Sequence, residues 1–193
     1  ARSILRDRLA ELSPDNGTLT FIYPTRTGGR TFMNEYLGPV LDPLLRAMTV
    51  VHEFSADLGT TLGTMSAVDH LLEFGAMKRR LETLLRHLSN NSDSFERFHH
   101  KKAHYTIIHA SKQEVPLKRK VWADEWWIKQ EKPRVRAAVT KYFRIAQKLP
   151  VDSEIMPTHL IQEILDGVSN RPYPSEPTKG VEVAVFEADV ERL

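Results

Sequence analysis

The sequence has 193 residues, of which 41% are hydrophobic and 27% are charged, a composition typical of a globular chain rather than a disordered one. It contains no cysteine, which excludes disulfides, thiol nucleophiles and thiolate metal sites, and it has neither a signal peptide at its start nor an apolar run of the roughly 20 residues that cross a bilayer. We therefore expect an intracellular protein, cytoplasmic or nuclear, with no membrane contact. Because residue 1 is not methionine and already lies in a helical pattern, we also expect that the sequence is a piece of a longer chain.

The net charge of +2 hides an uneven distribution of charge along the chain. Residues 1–96 carry 10 Lys and Arg against 12 Asp and Glu, residues 97–148 carry 14 against 4, and residues 149–193 carry 3 against 9. The basic middle part either neutralises the acidic C-terminal part within the fold or faces an acidic partner. The sequence leaves both alternatives open.

The first third of the chain predicts a helix, a strand and a longer helical region. Apolar residues at helical spacing predict a helix over residues 1–13, and a cluster of turn residues ends it. The run TLTFIYP, residues 18–24, is rich in β-branched and aromatic residues and predicts a buried strand. The helical region that follows contains Pro39 and Pro43, so we expect a kink or two helices, with Asp42 capping the second.

The middle of the chain predicts a loop, a helix and a second strand. Residues 55–64, SADLGTTLGT, have the composition of a loop. Ser66 begins an amphipathic helical pattern that continues to Leu88. Residues 103–111, AHYTIIHAS, predict the second strand.

The last part of the chain predicts three more helices and a third strand. Helices are expected over residues 118–132 and 134–149, each stopped by the proline that follows it, and another opens at Pro157. The proline-rich residues 169–180 predict a loop, and residues 181–190 alternate in character as a strand does.

These three strands, separated by long helical stretches, predict an α/β fold. The long intervals suit crossover connections, so we expect a small sheet of about three strands covered by several helices, whose strand order cannot be derived. We expect one domain over residues 1–193, with the helix at 1–13 and the loop at 169–180 as peripheral segments.

The stretch YPTRTGGRTF, residues 23–32, joins the first strand to the next helix, where phosphate-binding loops occur. The nucleotide-binding pattern G-x-x-x-x-G-K-[ST] is matched only at its second glycine and its final threonine, and the weaker possibility is an anion site on amides at the helix start. Its residues would be Arg26, Gly28, Gly29, Arg30 and Thr31. The structural alternative is that the glycines allow a sharp turn and a close approach of helix to strand.

The basic segment 112–148 contains a second candidate surface. Its stripe of cations could hold the phosphate backbone of RNA or DNA, could face an acidic protein, or could simply be a solvated helix face. Trp122 and Trp126 are four residues apart and are expected in the core, whereas Trp127 points elsewhere and is the predicted partner contact. The predicted surface residues are Lys118, Arg119, Lys120, Trp127, Arg134, Lys141, Arg144 and Lys148.

Catalytic and metal-binding patterns are weak in this sequence. It has no G-x-S-x-G elbow and no pair of carboxylates that stands apart from the others. Glu96, His100 and His104 have helical spacing, but the lysines between the two histidines would repel a cation. We therefore expect neither a metal site nor a cofactor.

The sequence as a whole favours a non-catalytic binding domain of a larger regulatory protein, which engages a protein partner through its helical surface. The first alternative is nucleic-acid binding through residues 112–148. The second is a phosphate- or nucleotide-binding enzyme, or a pseudoenzyme, built on residues 24–31.

Overall fold

The structure is a computed structural model that describes residues 4–13, 15–53, 55–91, 103–146 and 155–192. The chain forms two compact units and passes between them four times. The first unit is drawn from residues 1–29, 70–115 and 182–193, and the second from residues 30–69 and 116–181.

The first unit contains a three-stranded antiparallel sheet. Its strands are β1 (Asp15–Pro24), β2 (Ala103–Val115) and β3 (Val181–Arg192), in the order β1-β3-β2. Because both edge strands run antiparallel to β3, they are parallel to each other, and a long crossover of the expected kind joins β1 to β2. The predicted α/β fold and its three strands are therefore confirmed, and the structure supplies the strand order.

One face of this sheet carries the core of the first unit. Helices α1 (Ile4–Ala10) and α6 (Phe74–Asn90) contribute their apolar residues to the same cluster as alternate residues of β3. The ring of Phe186 stacks between the rings of Phe21, at 5.3 Å, and Phe74, at 5.6 Å. Alternation along β3 buries the side chains that face the helices, as the period of two in a strand requires.

The second unit is helical in its described residues. Its helices are α3 (Gly38–His52), α4 (Ala56–Gly63), α5 (Ser66–Asp69), α7 (Ile128–Ala146) and α8 (Ile155–Asn170), and α2 (Arg26–Thr31) contains the passage from the first unit to the second. Two π-helical segments, Phe32–Leu37 and Val121–Trp127, precede α3 and α7. The core includes the fully buried side chains of Leu41, Trp127, Val135, Val139 and Ile164.

Two helix boundaries predicted at prolines are wrong. Helix α3 continues through Pro43, so Asp42 does not cap a second helix, and the irregular part is the π-helical segment before it, where the amide of Gly38 donates to the carbonyl of Met33. Helix α7 likewise continues through Pro133. In both helices the buried stripe continues past the proline, and its packing outweighs the lost hydrogen bond.

Two further predictions about residues 55–88 are wrong. Residues 56–63 form α4 rather than a loop, because Leu58 and Leu62 are four residues apart and both are buried. The helix expected from Ser66 to Leu88 is divided by residues 70–73. The carbonyls of Leu71 and Leu72 there accept hydrogen bonds from Arg26 instead of from a following helical turn.

The predicted proline-rich loop is present, but it begins two residues later than expected, because α8 continues to Asn170. Residues 171–180 contain neither helix nor strand, and β3 follows directly. The helix itself begins at Ile155, two residues before the predicted start at Pro157.

Candidate functional site

A buried threonine, Thr25, lies between β1 and α2 and forms hydrogen bonds at the start of α2. Thr25 is fully buried, and its hydroxyl donates to the carboxylate of Glu182 at 2.7 Å and accepts the amide of Gly28 at 3.0 Å. The carbonyl of Thr25 accepts the amide of Gly29 at 2.8 Å, and its own amide donates to the carbonyl of Glu182 at 3.2 Å. Thr25 therefore satisfies the amides of Gly28 and Gly29, and its hydroxyl acts as that of an N-cap residue does.

Gly28 of this turn permits a close contact with β3. A Cβ atom at Gly28 would lie 1.9 Å from the carbonyl oxygen of Glu182, closer than any side chain allows. The amides of Gly28 and Gly29 are both used within the chain, and the side chain of Arg26 donates to the carbonyl of Leu71 at 2.8 Å. The structural alternative thus accounts for Gly28, and the anion site stays a prediction.

The remaining predicted anion-site residues differ in exposure. Arg30 is exposed, and Thr31 is half-buried. Both follow the two buried glycines in α2.

A partly buried ion pair lies beside this turn. Lys112 of β2 donates to the carboxylate of Glu182 on β3 at 3.0 Å. Burial raises the pKa of the Glu182 carboxyl, but the hydrogen bonds from Thr25 and Lys112, together with the charge of Lys112, outweigh burial and hold that pKa below its usual value. One lysine of the basic segment is therefore neutralised by an acidic residue of the C-terminal part.

The prediction that Trp127 is the exposed partner contact is wrong. Trp127 and Trp122 are buried, whereas Trp126 is 40% exposed. The prediction assumed α-helical geometry, but residues 121–127 form a π-helical segment whose hydrogen bonds span five residues. Residues five apart, such as Trp122 and Trp127, therefore lie on the same side of the segment.

Two of the predicted surface arginines are engaged inside the second unit. Arg119 donates to the carbonyls of Val168, Ser169 and Arg171 at the end of α8. The rings of Trp122 and Tyr173 lie 4.8 Å and 4.7 Å from its guanidinium carbon. Arg119 is thus a partly buried cap of α8 rather than a free surface cation.

Arg134 has the same role at the end of α4. Its guanidinium donates to the carbonyls of Thr61 and Thr64 at 3.2 Å and of Leu62 at 3.0 Å, and it also binds the buried carboxylate of Glu131. A cation at a helix C-terminus is favoured by the helix dipole and satisfies the last carbonyls. Arg134 therefore stabilises the packing of α4 against α7.

The outward side of α7 carries the exposed cations of this region. Val135, Val139 and Phe143, four residues apart, are buried and fix which side of the helix faces solvent. The solvent side lines a shallow, open depression of about 560 Å³. Its residues, here called the α7 outer face, are Pro133, Arg136, Ala137, Thr140, Lys141, Arg144 and Ile145.

The α7 outer face contains two of the predicted cations and several residues that were missed. Lys141 and Arg144 lie on it, and Lys118 and Lys120 are exposed outside it. Lys148 lies outside the described residues. Arg136 and Ile145 were missed; placing the buried stripe on Val135, Val139 and Phe143 would have identified both on the opposite side.

Two of the three residues with metal-ligand spacing in the sequence lie outside the described residues. Glu96 and His100 are not among the described residues, and His104 is exposed on β2. Within the described ranges, no group of three or more His, Asp or Glu residues could hold a metal ion. In the same ranges, no helix combines the length and apolar character that a membrane crossing requires.

Comparisons with protein-family models, with curated proteins and with solved structures found no match to this chain.

Proposed function

We propose that the chain is a non-catalytic binding domain whose α7 outer face docks an acidic, partly apolar segment of a protein partner. The observation that carries this proposal is the mixture of side chains on one exposed helix face. Arg136, Lys141 and Arg144 are exposed, and Ile145 beside them is 69% exposed.

The charges of this face favour an acidic occupant. Within the described ranges, neither Arg136, Lys141 nor Arg144 lies within 4.0 Å of a carboxylate. Three cations on successive turns of one helix produce a positive field that attracts an acidic partner and orients it.

The apolar residues of this face favour a protein over a nucleic acid. Pro133, Ala137 and Ile145 are exposed on the same face as the cations, and exposed apolar side chains of this kind suit the apolar side of an amphipathic acidic helix. Nucleic-acid binding was predicted with Arg119 and Arg134 among its contacts, but both bond to backbone carbonyls inside the unit. A phosphate backbone would use the cations and leave the apolar residues unused.

The test measures binding of a labelled amphipathic peptide, with Leu at helical spacing and Glu between, against a scrambled peptide and an oligonucleotide of equal charge. Ile145→Ser should weaken binding of the amphipathic peptide about 10-fold, because the isoleucine no longer buries its side chain. Reversing Arg136, Lys141 and Arg144 to Glu should weaken it about 100-fold, because like charges then face each other.

The matched control reverses three exposed arginines of α6 (Arg79, Arg80 and Arg86) to Glu, which makes the same change in net charge. That variant should bind the peptide as the wild type does. Equal binding by the α7 and α6 variants, or no binding of the amphipathic peptide by the wild type, would contradict the proposal. Binding of the oligonucleotide that is tighter than that of the peptide and insensitive to Ile145→Ser would show a nucleic-acid site instead.

A further inference from the structure

A pair of arginines at the end of α8 has buried donors without acceptors. Among the described residues, the Nη1 atoms of Arg119 and Arg171 are buried and have no hydrogen-bond partner. Neither guanidinium lies within 4.0 Å of a carboxylate of the described residues. Buried guanidinium groups are normally both hydrogen-bonded and charge-paired, because an unpaired buried charge is costly.

The two arginines are joined through the backbone. Arg119 donates to the carbonyl of Arg171 at 2.7 Å through its Nη2 atom, which also bonds to the carbonyls of Val168 and Ser169. These carbonyls bind the Nη2 atom of Arg119, while its Nη1 atom is buried without an acceptor. The Arg119 guanidinium therefore reaches the backbone of the residue that carries the second unpaired guanidinium.

The guanidinium of Arg119 packs against two aromatic rings. Its central carbon lies 4.8 Å from the ring centroid of Trp122 and 4.7 Å from that of Tyr173. The indole nitrogen of Trp122 donates to the hydroxyl of Tyr173 at 2.7 Å, which fixes the two rings to each other. A donor whose orientation is fixed in advance loses little entropy when a ligand binds.

We propose that the Nη1 edges of Arg119 and Arg171 form a binding site for a phosphate-type oxyanion. The planar fork of arginine matches the geometry of phosphate oxygens, and charge-assisted hydrogen bonds of this kind are the strong ones. Lys118 and Lys120, both exposed and next to Arg119 in the chain, add positive charge around the site. The proposal uses no residue of the α7 outer face and does not depend on the proposed function.

The first measurement compares the full chain in sodium phosphate and in sodium chloride at equal ionic strength and pH. Inorganic phosphate should raise the melting temperature saturably, by roughly 3–6 °C at about ten times its dissociation constant. Acetate at the same concentration should raise it less. An unchanged melting temperature in phosphate would overturn the proposal, since the two nitrogens would then bind water alone, and an equal effect of acetate would overturn the assignment to phosphate.

The second measurement uses Arg171→Gln, with Lys118→Gln as the control that removes the same charge from an exposed neighbour of Arg119. Arg119 itself is not substituted, because its loss would uncap α8. Without phosphate, Arg171→Gln should be as stable as the wild type or more so, because it removes a partly buried charge without a counter-ion. Its affinity for inorganic phosphate, measured by calorimetry, should fall at least about 10-fold, while that of Lys118→Gln should change by less than about 3-fold.

Equal losses of phosphate affinity in the two variants would contradict the site, because general electrostatics would then explain binding. Calorimetry with O-phosphoserine distinguishes the two sources of a phosphate group. Binding tighter than that of inorganic phosphate supports a site for a phosphoryl group on a larger molecule. Equal or weaker binding supports a site for the free anion.

Discussion

Tyr36 and Tyr105 are both buried, but their hydroxyl groups have different surroundings. The hydroxyl of Tyr36 donates to the carbonyl of Lys179 at 2.7 Å and accepts the amide of Leu117 at 3.4 Å. The hydroxyl of Tyr105 has no hydrogen-bond partner among the described residues, and burial raises its pKa. A buried polar atom without a partner loses its hydration and gains nothing in return.

Tyr105→Phe should therefore raise the free energy of unfolding by about 1 kcal/mol, because the substitution keeps the ring and removes the unsatisfied hydroxyl. Tyr36→Phe, the matched control, should lower it by about 1–2 kcal/mol, because it leaves a carbonyl and an amide without their partner. Urea denaturation followed by circular dichroism measures both changes. A loss of stability in Tyr105→Phe equal to that in Tyr36→Phe would show that the Tyr105 hydroxyl does have a partner in solution.

At the scale of elements, the start of α2 depends on how closely it approaches β3. Gly28 lies against the backbone of Glu182, and Thr25 joins the same two elements through its hydroxyl. This contact is backbone against backbone, so neither side can move aside by changing a rotamer. The absence of a side chain at Gly28 is therefore a requirement of the packing.

Gly28→Ala should lower the free energy of unfolding by about 2–3 kcal/mol, because the new methyl group would overlap the Glu182 carbonyl. Gly59→Ala in α4 is the control, since a Cβ there would have no atom within 4 Å outside its own turn. That substitution should raise stability by about 0.5–1 kcal/mol, because alanine is the better helix former. Chemical denaturation of both variants checks the difference, and a gain in both would show that α2 and β3 are further apart than described.

The elements also show what the sequence could and could not predict. The three strands were predictable because β-branched and aromatic runs such as residues 18–24 are local signals. Helix α4 was not, because its burial depends on distant residues and its glycines and threonines resemble a loop. Pro43 and Pro133 were misread as breaks for the same reason, since tertiary packing compensates for a hydrogen bond that local rules count as lost.

The candidate site was harder to predict than the fold. The roles of Arg119 and Arg134 as helix caps depend on carbonyls some 50 and 70 residues away in sequence, as their bonds to Val168 and Leu62 show. No local pattern marks such a pairing. The exposure of Trp126 instead of Trp127 depended on a π-helical segment, which residue periodicity alone does not reveal.

At the scale of the whole molecule, neither unit is a continuous stretch of chain. The middle strand of the sheet, β3, comes from residues 181–192, while its neighbours come from residues 15–24 and 103–115. β1 and β2 do not pair with each other, and each is a neighbour of β3. The sheet therefore depends on the segment that lies last among the described residues.

Removing residues 182–193 should abolish the sheet, because β1 and β2 would lose the strand that both pair with. The control ends after Arg192 and keeps all of β3. Hydrogen exchange should show protected amides in residues 15–24 and 103–115 of the control and loss of that protection in the truncated chain. Retained protection in the truncated chain would mean that the edge strands have another partner.

The pairing of Gly17 with Val190 has a consequence for the time at which the first unit can form. During synthesis on the ribosome, β1 and β2 are made long before residue 190. Until β3 follows, the backbone amides and apolar side chains of both strands have no partner in the sheet. Closing so long a loop is also slow once the chain is complete. The three-stranded sheet therefore cannot be completed until β3 has been made, and until then β1 and β2 lack the strand that both pair with.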